Sequence, residues 1–310
     1  MQSQKFIIRG DKKLEGALRV NGAKNSALIL LAASVLARKP LTISNLPQIE
    51  DVFRIIDLLK KLGISVEQEH ERIARLTASA SSAVTALDPE IAKRIRASIV
   101  LTGPLLARYG EVSFPHPGGC VIGQRPIDVF LRGFEALGAT VEERSEGYYV
   151  HARKGLAGAR IFFRVVSVTG TETLLMAAVL ARGTTVFLNA AMEPEVVALA
   201  DFLNTCGARI TGQGTPCITV EGVEEIGGGA CEVIPDRIEA GSFALLAAAT
   251  RSRISIENCT PSHLDALIAM LQDAGVRVQT EESHMVVDAT QGQLKAQPLT
   301  THEYPGFPTD

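Results

Sequence analysis

Leu41-Thr42-Ile43-Ser44-Asn45 reads as an alternating strand, Asp51 to Leu62 as an amphipathic helix, and Gly63-Ile64-Ser65-Val66 as a capping glycine that leads into a second strand. Val52, Ile55, Ile56, Leu59 and Leu62 form an apolar stripe at helical spacing, while the strands alternate by two. The pattern returns three times. It recurs first as Val112-Ser113-Phe114, Ile127 to Leu137 and Gly138-Ala139-Thr140-Val141. The third copy is Thr185-Val186-Phe187-Leu188-Asn189, Glu195 to Cys206 and Gly207-Ala208-Arg209-Ile210. The fourth is Arg253-Ile254-Ser255-Ile256-Glu257-Asn258, His263 to Ala274 and Gly275-Val276-Arg277-Val278. The four glycines are spaced by 75, 69 and 68 residues, each where a helix C-cap glycine belongs. Repeats of this length mean one supersecondary unit copied several times.

A second helix precedes each repeat: Lys24 to Arg38, Arg96 to Arg108, Thr171 to Arg182 and Glu239 to Ala249. These helices are rich in alanine and leucine nearly all round, which predicts burial. The chain therefore reads as an α/β fold with buried helices fenced by outer sheets and amphipathic helices. Gly227-Gly228-Gly229 is the linker candidate. It divides a three-repeat domain, 22–229, from a partial second domain made of 1–21 and 230–310. By the repeat's own period, Thr301 to Asp310 is the approach to a fifth buried helix, so the sequence reads as truncated.

Bulk properties narrow the function. With 310 residues, 46% hydrophobic and 21% charged, and a formal charge of -3, the chain is expected to be an ordinary globular protein without a nucleic-acid partner. Cysteines 120, 206, 217, 231 and 259 are odd in number and show neither a CxxC pair nor metal-ligand spacing. That points to reduced thiols in a cytoplasm and to no metal. The apolar run Ala27 to Ala37 is too short to span a bilayer, and Met1 to Lys13 has no apolar core like a signal peptide's. No membrane partner is expected. No tryptophan is present to stack on bases or sugars.

Chemistry collects at two kinds of place. Pro117-Gly118-Gly119-Cys120-Val121-Ile122-Gly123-Gln124-Arg125-Pro126 sets a cysteine between glycines and ahead of an arginine, where regular structure should not persist. An arginine there can favour a thiolate or bind a phosphate; the bland reading is an inert cysteine on a surface loop. The starts of the buried helices carry Lys24-Asn25, Arg96-Ala97-Ser98, Ser167-Val168-Thr169-Gly170-Thr171, and Asp236-Arg237 with Glu239, and Thr309-Asp310 opens the fifth. Helix N-termini form ready anion sites. Ordinary capping explains Ser167 and Thr171. It does not explain Lys24 or Arg96, because cations there oppose the dipole, so something negative should offset them. That favours a ligand.

Gly22-Ala23-Lys24-Asn25, the Arg96-Ala97-Ser98 step, the 117–126 loop, Pro235-Asp236-Arg237-Ile238-Glu239 and Phe307-Pro308-Thr309-Asp310 together resemble the UDP-N-acetylglucosamine enolpyruvyl transferases, of the EPSP-synthase-like superfamily. The resemblance covers the whole chain in order, without most of the family's last third. It implies an inside-out α/β barrel of two domains with three repeats each. The implied substrates are phosphoenolpyruvate and UDP-N-acetylglucosamine, with no cofactor. Asp310 would be the general base near the sugar 3-hydroxyl, and Cys120 would supply a proton to C3 of phosphoenolpyruvate. Lys24, Asn25, Arg96 and Arg125 would hold phosphoenolpyruvate, with Lys24 also serving catalysis by stabilising charge. Asn25, Arg96, Arg125, Pro126, Ile127, Asp128, Val129, Ser167, Val168, Thr169 and Asp310 would line the UDP-sugar site. The Cys120 loop would close over the site and exclude water.

Two positions depart from the family's habit: Val165 stands where a lysine is usual near the nucleotide, and Thr169 where a glycine is commoner. The nearest rival is the shikimate-pathway enolpyruvyl transferase, against which the cysteine loop speaks. A non-catalytic UDP-sugar binder and a nucleic-acid end-processing enzyme are the others, and the negative charge disfavours the latter. His116, beside the loop, reads as a solvated position. Cys120→Ser is expected to abolish covalent labelling by the epoxide fosfomycin, and Asp310→Ala to cut turnover steeply. Unchanged labelling of the serine variant would contradict the thiol's role, whereas an active Cys120→Asp would not, since a carboxylate also donates a proton.

Overall fold

A computed structural model describes the chain apart from residues 1–4, Phe6, Arg9, Asp11, 79–83, 117–126 and 308–310. Two compact lobes result, one of residues 22–234 and one of 1–21 with 235–310. The elements follow the repeats. Strand β1 (Glu15–Arg19) precedes α1 (Lys24–Ala33), β2 (Leu41–Ser44), α2 (Glu50–Lys61), β3 (Ile64–His70) and β4 (Ile73–Ala78). Helix α3 (Pro89–Ala92) and a 3-10 turn (Arg96–Leu101) lead into α4 (Thr102–Tyr109), β5 (Glu111–Pro115), α5 (Asp128–Ala136), β6 (Thr140–Arg144) and β7 (Gly147–His151). Next come β8 (Arg160–Phe162), α6 (Val168–Ala178), β9 (Thr184–Leu188), α7 (Pro194–Thr205), β10 (Arg209–Thr211), β11 (Cys217–Glu221) and β12 (Gly229–Glu232). The last repeat holds α8 (Arg237–Ala249), β13 (Arg253–Glu257), a 3-10 turn (Pro261–Leu264), α9 (Asp265–Asp273), β14 (Arg277–Glu281) and β15 (His284–Asp288).

Local rules account for the ends of these elements. Gly63, Gly138, Gly207 and Gly275 take φ of 85°, 89°, 101° and 92°, the left-handed C-cap conformation that L side chains resist. Acids Glu50 and Asp51 open α2 and Lys60 and Lys61 close it, complementing its dipole. The helix expected over Arg96 to Arg108 begins instead as a 3-10 turn and becomes α-helical at Thr102. Pro104 lacks an N–H, so it fits the first turn of a new helix but not the interior of a continuous one. Gly103 lets this helix approach α6, since a Cβ there would lie 2.1 Å from the Thr173 carbonyl oxygen.

One sheet rule holds in both lobes. The strand that precedes a buried helix pairs in parallel with the strand that follows it, as β8 does with β9 across α6. In the second repeat a parallel bridge joins Ala86 to Ser113. In the first repeat the preceding strand comes from the far end of the lobe: β12 pairs in parallel with β2, register Gly229 to Leu41. Gly227-Gly228-Gly229 is therefore not a linker. It enters a strand that closes the lobe on itself, and the boundary falls at 234/235 instead of the expected 229/230. In the other lobe β1 supplies the parallel partner of β13.

Three asparagines secure these pairings. Asn45, Asn189 and Asn258 follow β2, β9 and β13 with φ of 57°, 57° and 54°. Their Nδ2 groups donate to the carbonyls of Val233, Phe163 and Val20 at 2.9, 2.9 and 2.8 Å. Those residues return a backbone bond to the residue before each asparagine. Asparagine tolerates this backbone and supplies a donor as well.

Burial follows the repeat in the larger lobe, where Ser26 to Ala33 of α1 and Gly170 to Ala178 of α6 are buried. It fails at α8. Leu245 and Leu246 are 42% and 38% exposed, because among the described residues of its own lobe α8 has no sister helix to cover that face. Asn189→Ala is expected to cost about 1–3 kcal/mol in urea unfolding, through backbone strain and the lost bond to Phe163. Asn189→Gly, which keeps the backbone, should lose less.

Candidate functional site

The described site residues all lie in the lobe of residues 22–234. Lys24 and Asn25 are the first two residues of α1, exposed and half-buried respectively. Arg96, half-buried, opens the 3-10 turn that packs on both α1 and α6. Ile127 is the buried N-cap of α5, followed by exposed Asp128 and half-buried Val129. Ser167 caps α6, and Val168 and Thr169 are its first two residues. The Val129 methyl reaches to 3.3 Å of the position a Cβ on Gly170 would occupy, so the start of α5 meets the start of α6. Lys24, Asn25 and Arg96 form one group and 127–129 with 167–169 a second, joined through the packing of the 3-10 turn on α6. Cys120, Arg125 and Pro126, and likewise Asp310, lie outside the described residues.

The electrostatic expectation needs one correction. Lys24 Nζ stands 3.6 Å from the Asp51 carboxylate, so a protein group already offsets part of its charge at the N-terminus of α1. Both side chains are about half exposed, which keeps the pair weak and open to competition. Capping accounts for Ser167, whose Oγ accepts from the Gly170 N–H at 3.1 Å. Thr171 serves the fold too, accepting from the Ala191 N–H at 3.1 Å. In the smaller lobe Asp236 caps α8 through the N–H groups of Ile238 and Glu239. The Glu239 carboxylate holds the backbone and side-chain N–H of Asn21, which fastens the N-terminal arm.

Three carboxyls missed by sequence reasoning lie nearby. Glu172 of α6, Glu193 at the N-cap of α7 and Glu195 in its first turn are only 3%, 8% and 2% exposed. Burial, then the charges of Glu195 and Glu193, push the Glu172 carboxyl well above the usual carboxylate range. One signal was available: Glu172 is the single charged residue in the apolar run Val168 to Ala178. Glu193 and Glu195 offer no such signal, since acids are ordinary at a helix start. Phe162 and Val165, 64% and 73% exposed, flank Arg164 on the approach to α6. Among the described residues no cluster of His, Cys, Asp or Glu could hold a metal, and no helix is long and apolar enough to cross a membrane.

With that arrangement in place, comparison with known proteins is decisive. Residues 8–310 match the family of EPSP synthase (3-phosphoshikimate 1-carboxyvinyltransferase). The chain belongs to that family. UDP-N-acetylglucosamine 1-carboxyvinyltransferase of Cellvibrio japonicus (strain Ueda107) is 45% identical over 308 residues, which cover 99% of this chain and 73% of the relative. The fold is shared with the enolpyruvyl transferase NikO from Streptomyces tendae, at TM-score 0.81 and 20% identity over 97% of this chain and 72% of the other. It is also shared with EPSP synthase from Acinetobacter baumannii, at TM-score 0.71 and 17% identity over 91% and 65%. The EPSP-synthase-like α/β fold and the enolpyruvyl transferase class are thereby established.

Ser167→Ala is expected to cost about 1 kcal/mol in unfolding of this lobe, and Ser167→Asp to recover most of it. If Ser167 also faces a bound diphosphate, titration with UDP will show weaker binding in both variants. Wild-type affinity in the aspartate variant would leave Ser167 a cap alone.

Proposed function

We propose that this chain transfers the enolpyruvyl group of phosphoenolpyruvate to the 3-hydroxyl of UDP-N-acetylglucosamine, releasing phosphate, the step that commits the sugar nucleotide to peptidoglycan. The reading is supported chiefly by 45% identity over 308 residues to an enzyme of that name. Lys24, Asn25, Arg96, Cys120, Arg125 and Asp310 are all present in the sequence. A cytoplasmic site of action and a place in cell-wall building, hence in cell shape and division, follow from the same reading.

In this mechanism the sugar 3-oxygen attacks C2 of phosphoenolpyruvate while its proton passes to Asp310. Cys120 delivers a proton to C3, and the two additions give a tetrahedral ketal phosphate. Loss of a proton from C3 with departure of phosphate then regenerates the double bond as an enol ether. Lys24, Arg96 and Arg125 offset the charge that grows on the carboxylate and phosphate in both steps. The Lys24–Asp51 pair suits this role, since a half-exposed carboxylate can yield its lysine to a dianion without leaving a buried charge unpaired.

The chain should release phosphate from phosphoenolpyruvate with UDP-N-acetylglucosamine as acceptor and not with shikimate 3-phosphate. The reverse preference would assign it to the shikimate reaction. Binding of the UDP-sugar with no phosphate release would make this polypeptide a binder rather than a catalyst.

A further inference from the structure

Glu172 has no part in the chemistry above, yet it occupies a costly position. It is the fifth residue of α6, 3% exposed, and its Oε1 has no hydrogen-bond partner. Its electrostatic neighbours are Glu193 and Glu195, both more than nine-tenths buried. An isolated ionised carboxylate in such a place would be strongly penalised, and neighbouring carboxylates sharply disfavour a further negative charge.

The other described elements packed on α6, and α1 beyond the 3-10 turn, carry the following charged groups. The 3-10 turn opens on Arg96, and α1, one helix further on, on Lys24. Helix α5 turns Val129 and Gly133 toward α6 and keeps its Asp128–Arg132 pair exposed. Helix α4 carries Arg108, which is bound to the carbonyls of Val35 and Ala37. On β11, Glu221 is exposed and pairs with Arg209.

Resting on the proposed transfer reaction, we propose that Glu172 is held as the neutral acid and acts as a positioning residue for the anion site. Its lack of charge preserves the pull of Lys24, Arg96 and the α6 N-terminus on phosphoenolpyruvate. Ionised, Glu172 would set a negative charge beneath the first turn of α6, against the dipole end that attracts the ligand. Glu172 lies four residues, about 6 Å of helix rise, beyond Val168 at the start of α6, and one full charge at that range would weaken a dianion's binding by roughly tenfold. The sign for stability follows in the same direction. A carboxyl raised in the folded state stabilises fully below its unfolded pKa, and that contribution is lost as pH rises through the folded value.

Difference infrared spectroscopy of wild type against Glu172→Gln tests protonation directly. A carbonyl-stretch band of a buried neutral carboxyl should be present at neutral pH and missing in the variant. Calorimetric titration with phosphoenolpyruvate from neutral to alkaline pH should show wild type losing about tenfold more affinity than E172Q, the ligand's own titration being common to both. Should E172Q fold poorly, Glu172→Leu serves the same comparison, because a neutral buried acid tolerates an apolar substitute. Absence of the infrared band, or equal pH slopes in wild type and variant, would overturn the proposal. A chain that binds no phosphoenolpyruvate, yet shows the band, would defeat the transfer reaction and the tuning role while leaving the proton on Glu172.

Discussion

The parallel pairing of β12 with β2 is the constraint on which the larger lobe depends. It joins residues nearly two hundred positions apart and gives the first repeat the strand that its own sequence does not supply. Closing so long a loop costs entropy, so the contact must be reinforced. Asn45 supplies the reinforcement by bonding the Val233 carbonyl while accepting a backbone that few residues tolerate. Within the closed lobe the 3-10 turn packs on both α1 and α6, and α4 packs on α6. Gly103 lets α4 approach α6 closely. The elements that carry Lys24, Arg96 and Ser167 are linked through that turn.

Cations at helix starts bring an electrostatic problem that carboxyls answer in part. Lys24 and Arg96 each open a helical element, where the dipole end opposes a positive charge. Asp51 meets Lys24 at the surface, where the pair is weak enough to be exchanged. Glu193 and Glu195 sit deeper at the start of α7, a favourable end for negative charge. Glu172 stands in the first turns of α6 but is too buried, and too close to the other two, to ionise with them. On the proposal for Glu172, counter-charge is exchangeable at the surface, where Asp51 meets Lys24, and suppressed in the interior.

Much of this was legible in the sequence, and for local reasons. The four C-cap glycines, the apolar stripe of α2 and the buried helices α1 and α6 each obey rules that act within a dozen residues, and each appears where its pattern placed it. Long-range partners were not legible. Gly227-Gly228-Gly229 has the composition of a linker, and only the presence of β2 beside it makes it the entry to a strand. The break between the 3-10 turn and α4 could have been read from Pro104 but was hidden by the apolar run around it. Glu172 was visible as a charged residue among apolar ones, but its two acidic neighbours come from another element. Lys24 was expected to need a ligand for charge balance because Asp51 belongs to the next helix.

The second repeat departs from the frame of the others at the end of its first strand. Three repeats end their first strand in an asparagine with left-handed backbone; this one ends in Pro115-His116. The backbone bond from Leu87 to the Ser113 carbonyl puts Phe114 in the asparagine's place, and there the strand β5 continues instead of turning. His116 takes another course, donating from Nε2 to the Arg144 carbonyl and setting its ring edge-on against Tyr148. The tie therefore runs to the β6–β7 hairpin of its own repeat and not to a preceding strand. Freed from the tight asparagine turn, the chain between β5 and α5 spans residues 116–127, whereas 45–49 suffice in the first repeat and 189–193 in the third. That longer passage contains Cys120 and Arg125. A five-residue connection like those of the first and third repeats has no room for both, so the longer connection is the condition for carrying this sequence between β5 and α5.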